Sequence, residues 1–199
     1  MVRWPPNARG RLQEAAMTLF IERGYDQVTV AQIAERANLT KRSFFNHFAD
    51  KREVMFASAD ALQASVLTAL AETDRDLSPM ERAVQAFTRA SAPIADFPEL
   101  ARARRAIIDS SPELRERDLL KMAQMVEAIA EALVSRGITR RHAVFVAQAA
   151  TTVFIAAVDD WVQDPQRELR AVIRTALTDL QAALATGDCP DRVKSDLGG

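Results

Sequence analysis

Thr29 to Phe48 reads TVAQIAERANLTKRSFFNHF. Thr29 is a good helix N-cap and Gln32 stands three residues on, as in a capping box. Val30, Ile33, Ala34 and Ala37 recur at the interval of one buried helical face. Asn38 follows, the non-glycine residue that most readily adopts a left-handed backbone. Thr40 then caps a second short helix, expected through His47, and Leu39 is the apolar plug where the two helices cross. The order is helix, tight turn, helix. In such a pair the second helix enters the DNA major groove while the first braces against the backbone.

Working outward, glycine and proline fall where helices start and stop. A first helix is expected from Ala8 to Arg23, with Leu12, Ala15, Ala16, Leu19 and Phe20 on one stripe and Gly24 at its end. Asp50 and Glu53 open a long helix to about Ala71. Ser78-Pro79-Met80-Glu81 starts the next, with Met80, Val84, Phe87, Ser91 and Ile94 inward. Phe97-Pro98 begins a short helix ending near Ser110, and Ser111-Pro112 opens one that runs to Arg136 and closes at Gly137. Thr139 starts a helix ending near Asp164. Pro165 begins the last, stopped by Gly187. No segment alternates with the period of a strand. The class is all-α, about nine helices: a helix-turn-helix unit over 1–55 (motif about 29–48), a helical body over 56–187 and a disordered tail over 188–199.

Composition narrows the function. The chain has 199 residues, 48% of them hydrophobic and 27% charged, as in an ordinary globular protein. One cysteine, Cys189, excludes a disulfide scaffold or a cysteine zinc cluster. His47 and His142 lie on separate elements, so no Cys–His pair or His-rich metal site is available. No enzyme, metal or cofactor is expected. The N-terminus lacks the apolar core of a signal peptide, and the apolar run from Ala143 to Val158 is short for a membrane span; a cytoplasmic location and no membrane partner are expected. Up to Met55 there are nine Lys/Arg against six Asp/Glu, and the remainder is net negative. A basic end on an acidic body points to an anionic partner for the first segment.

Lys41, Arg42 and Ser43 sit at the start of the second helix, with Asn46 and His47 near its far end and Phe44, Phe45 and Phe48 expected to hold it on its neighbours. The residues alone also fit a helical adaptor or ligand-binding protein that touches no DNA, with Lys41, Arg42 and Lys51 a solvated surface. Residues 9 to 56 resemble the N-terminal DNA-binding domain of the TetR family of bacterial transcriptional regulators. The resemblance rests on A-x-x-L-F-x-x-x-G-Y (Ala16 to Tyr25), T-V-x-x-I-A-x-x-A (Thr29 to Ala37) and H-F-x-x-K (His47 to Lys51). It implies phosphate contacts at Thr29 and Lys51, base and backbone contacts from Lys41, Arg42 and Ser43, and a backbone contact at His47. Three positions depart from the family pattern. Asn38 replaces a turn glycine, Arg42 stands where glycine is common, and Phe45 replaces a tyrosine and so lacks its hydroxyl.

The helix from Thr139 is apolar almost all round, which demands cover on every side. A central core helix in a monomer would meet that demand, and so would a second copy. With Leu177, Leu180 and Leu184 of the last helix, residues Ala149, Val153 and Ala156 offer a four-helix interface. TetR-like proteins dimerise through their last two helices, which implies a homodimer on double-stranded DNA with a palindromic operator. Phe87, Phe97, Met122, Met125, Phe145 and Phe154 are candidate linings of a pocket for an unidentified, largely apolar effector, or simply core. The resemblance implies a repressor released by that effector. Arg102, Arg104 and Arg105 form a basic cluster, read as a solvated face or as a seat for an acidic head group.

Overall fold

A computed structural model of the chain describes residues 8–185, and everything structural below concerns those residues. The expected stop at Gly187, the tail over 188–199, Cys189 and the first seven residues lie outside them. The described chain forms ten helices and no strand: α1 (Ala8–Arg23), α2 (Val30–Arg36), α3 (Lys41–Phe45), α4 (Lys51–Ala71), α5 (Pro79–Ala90), α6 (Ala92–Ala95), α7 (Pro98–Ser110), α8 (Pro112–Val134), α9 (Arg140–Trp161) and α10 (Leu169–Ala185).

Local chemistry sets most of these limits. Thr29 and Ser78 close reciprocal capping boxes with Gln32 and Glu81, and Asp50 accepts from the Arg52 and Glu53 backbone N–H groups. Gly24 and Gly137 take φ of 81° and 88° at helix ends. Several expectations change. α3 ends at Phe45 rather than His47, with Asn46 as its C-cap, and α9 ends at Trp161 rather than near Asp164. The stripe from Met80 to Ile94 is broken at Ser91, because Pro93 lacks the N–H that would continue the ladder; the tenth helix, α6, is the product. The last helix starts at Leu169 rather than Pro165. Trp161 Nε1 donates to the Arg167 carbonyl at 3.0 Å and Arg167 reaches Asp160 at 2.7 Å, holding the intervening residues in a turn.

Two hydrophobic cores result. The first gathers Leu12, Leu19, Phe20, Ile33, Phe44 and Phe48 with Val54 to Ala57 of α4, and it is closed by Ile107, Ile108 and Leu114 of α7 and α8. The second holds α5, α9 and the far halves of α4 and α8, with Phe87 and Phe154 stacked at 4.6 Å. α4 runs through both. Helices α4 and α9 are long and apolar enough to cross a membrane by length and composition, α9 exceeding the apolar run read from sequence; both contribute side chains to these cores.

Candidate nucleic-acid interface

The turn between α2 and α3 is built from backbone geometry. Asn38 adopts φ 52°, and its N–H donates to the Glu35 carbonyl at 2.9 Å. The Leu39 N–H donates to the Ala34 carbonyl at 2.8 Å, completing a Schellman motif with Leu39 packed on the first core. Arg11 of α1 adds a clamp that the sequence did not announce. Its guanidinium donates to the Ala37 carbonyl and, at 3.1 Å, to the Asn38 carbonyl. Thus the angle between α2 and α3 is fixed from three sides.

From that turn α3 projects its side chains in two directions. Phe44 is fully buried and meets Phe48 at 5.5 Å, seating the helix. Lys41 and Arg42 of α3, Asn46 at its C-cap and His47 just beyond are exposed. Phe45 is a correction: it does not pack inward but lies 49% exposed beside the basic residues, edge-on to Phe44. With Phe44 and Phe48 filling the seat, one ring is left over. Ser43 is half-buried, and its backbone N–H donates to Thr40 Oγ1 at 3.0 Å, which caps α3.

Thr29 is exposed, yet its hydroxyl and N–H are both engaged with Gln32 Oε1, at 3.1 and 2.8 Å. Lys51 is half-buried, with Nζ donating to the Tyr25 carbonyl at 2.8 Å and lying 3.9 Å from the Tyr25 ring centre. Burial lowers its pKa from the usual lysine value, opposed by Asp26 and Glu113. Arg9 lies over the Phe48 ring at 4.8 Å. The side of the molecule carrying α3 therefore presents Arg9, Lys41, Arg42 and Lys51 together with short polar donors.

Behind this face the unit is joined to the body by a charged seam. Arg52 meets Glu113 at 3.1 Å, Arg117 pairs with Glu53, and Lys121 reaches Asp60 at 2.7 Å. A solvent-open groove of about 800 Å³ runs along it.

The residues proposed for an effector pocket do not all converge. Phe87, Met125 and Phe154 are buried together in the second core. Met122 is half-buried, and Phe97 and Phe145 stand at the surface, so they line no shared cavity with the other three. Nor is Arg102-Arg104-Arg105 a free basic cluster. Arg102 Nε donates to the Val162 carbonyl at 2.9 Å, Arg104 meets Asp118 at 3.6 Å, and Arg105 lies within 3.6 Å of Asp109, Asp118 and Asp159. Of the residues proposed for an interface between copies, Ala156 and Leu184 are exposed and Ala149, Leu177 and Leu180 half-buried. Val153 is corrected: it is buried in its own chain's core.

Residues 12–57 match the model for bacterial regulatory proteins of the tetR family, and residues 77–185 match the MftR C-terminal domain. The chain belongs to the TetR family of transcriptional regulators. Residues 12–57 are therefore a helix-turn-helix unit of that family. The HTH-type transcriptional regulator TcmR of Streptomyces glaucescens is 37% identical over 79 residues, 40% of this chain and 35% of that protein. The HTH-type transcriptional activator FasR of Mycolicibacterium smegmatis is 35% identical over 83 residues, 40% and 38% respectively. These matches thus span little more than a third of those TetR-like relatives. The regulator FadR from Bacillus subtilis, solved in complex with stearoyl-CoA, has the same fold, with a TM-score of 0.58 at 17% identity over 85% of this chain and 96% of its own.

Proposed function

We propose that this TetR-family protein is a cytoplasmic homodimeric repressor, not an enzyme, that holds a palindromic operator through residues 1–55 and is released by a small, largely apolar effector bound in residues 56–187. The observation that carries the reading is the exposed surface of α3, where Lys41, Arg42 and the C-cap residue Asn46 reach solvent beyond a clamped Asn38 turn while Phe44 is buried. Arg42 has the fork geometry to read a guanine edge. Lys41 and Asn46 flank it, Ser43 and His47 add donors, and Lys51 meets a phosphate, as does Thr29 once its hydroxyl turns away from Gln32 Oε1. A lysine ammonium has three donors, so the bond to Tyr25 leaves Lys51 able to take an external acceptor.

The half-exposed stripe of Leu177, Leu180 and Leu184, beside Ala149 and Ala156, supports a second copy across α9 and α10. Two copies would set the two α3 helices about 34–36 Å apart, one turn of duplex or a multiple of it. The buried trio of Phe87, Met125 and Phe154 supports an apolar effector, since Met and Phe repack around a guest. FadR with stearoyl-CoA is consistent with such a body.

Selection of bound sites from random duplex by the full chain tests the reading. An inverted repeat, bound with an affinity that falls steeply with salt, is the expected result. Enrichment of a single unrepeated site removes the dimer on DNA. A promoter reporter then fixes the sign, because FasR shows that a relative can activate.

A further inference from the structure

Phe45 is the one large apolar side chain on the exposed face of α3. It lies one helical turn from both Lys41 and Arg42, its ring centre is 5.9 Å from Lys41 Nζ, and Phe44 braces it edge-on at 5.5 Å. The ring is thus held in place and left half uncovered, amid the charges that face DNA. A phenyl ring has nothing to offer a phosphate, since it carries no hydrogen-bond donor. The apolar group that the major groove does present is the C5-methyl of thymine, which side chains of this kind contact. We infer that Phe45 is a specificity-determining residue that reads a thymine methyl group in each operator half-site. Arg42, three residues earlier, is oriented to a neighbouring base pair, so one hydrogen-bonded and one apolar contact would together define adjacent positions.

The inference rests on α3 being the reading helix, and its test separates the two. Sites are first selected with the full-length protein. In the selected duplex each thymine is then replaced singly by deoxyuridine, which deletes only the methyl group, and binding is measured by anisotropy. Wild-type protein should lose about fourfold at one thymine per half-site, the worth of one buried methyl-sized group. Phe45→Ala should lose nothing further at that thymine, and Phe45→Tyr, which keeps the ring, should retain the penalty. Phe45→Met, apolar but flexible, should show a reduced one, and it guards against a variant that folds poorly. Equal uridine penalties in wild type and Phe45→Ala overturn the inference, as does a Phe45→Ala defect spread evenly over all sequences, which would put the ring on the sugar–phosphate backbone. A protein whose binding to duplex shows no salt dependence fails earlier, at the role of α3 itself.

Discussion

The two ends of the molecule finish their cores in opposite ways. Around α3 the interior is completed by Phe44 and Phe48, and what remains outside is basic and polar apart from the single ring of Phe45. Around α9 and α10 the interior is completed by Phe154 and Ile173, and among the polar side chains left outside two large apolar ones remain: Phe145 and Leu184 stand 57% and 79% exposed. A charged remainder suits an anion approached through water. An apolar remainder suits a protein surface that expels water. The contrast teaches that the same packing problem, solved locally, leaves a surface whose chemistry names its partner class.

The largest expected effect comes from removing the seat of α3. Phe44→Ala deletes a fully buried ring and should cost about 3–5 kcal/mol by denaturant unfolding. Operator binding should be lost while self-association survives; joint loss of both would show that the two ends are not separable. Next, Leu184→Glu should weaken dimerisation by about 2–3 kcal/mol, read by sedimentation, with little change in the unfolding of each chain because Leu184 is largely exposed there. An unchanged dimer would move the interface away from α10. Within the basic face, Arg42→Ala should cost about 1–3 kcal/mol at a single operator position. Lys51→Ala should weaken all sequences alike and lower the salt slope by about 1, along with about 1 kcal/mol of folding stability from the lost bond to Tyr25. Smallest are the turns: Asn38→Gly should be near neutral in thermal unfolding and Asn38→Ala should cost about 1 kcal/mol, since alanine resists a positive φ.

What could be read from sequence was what neighbouring residues decide between themselves. The caps at Thr29, Ser78 and Asp50 and the left-handed residues Gly24, Asn38 and Gly137 are each specified within a few positions, and all stand where the sequence put them. The exposure of Lys41, Arg42, Asn46 and His47 agrees with their polar side chains. Direction was harder. Phe44, Phe45 and Phe48 look alike on paper, yet only two of them fit the space that α1 and α4 leave, and Phe45 is turned outward. The apolar type of Phe97 and Phe145 gave no sign that both would lie at the surface. Contacts between distant residues left no trace at all: Arg11 reaches across 26 and 27 positions to clamp the turn, and Arg105 reaches across 54 to Asp159.

The plug formed by Ile107, Ile108 and Leu114 carries a practical lesson for protein engineering. Because residues from the body seal the apolar interior that holds α3, a chimera that grafts the first 55 residues onto a foreign sensor would arrive with an open seam. Transplantation of this unit therefore has to bring the α7–α8 corner along, or redesign the acceptor to supply three aliphatic side chains in its place.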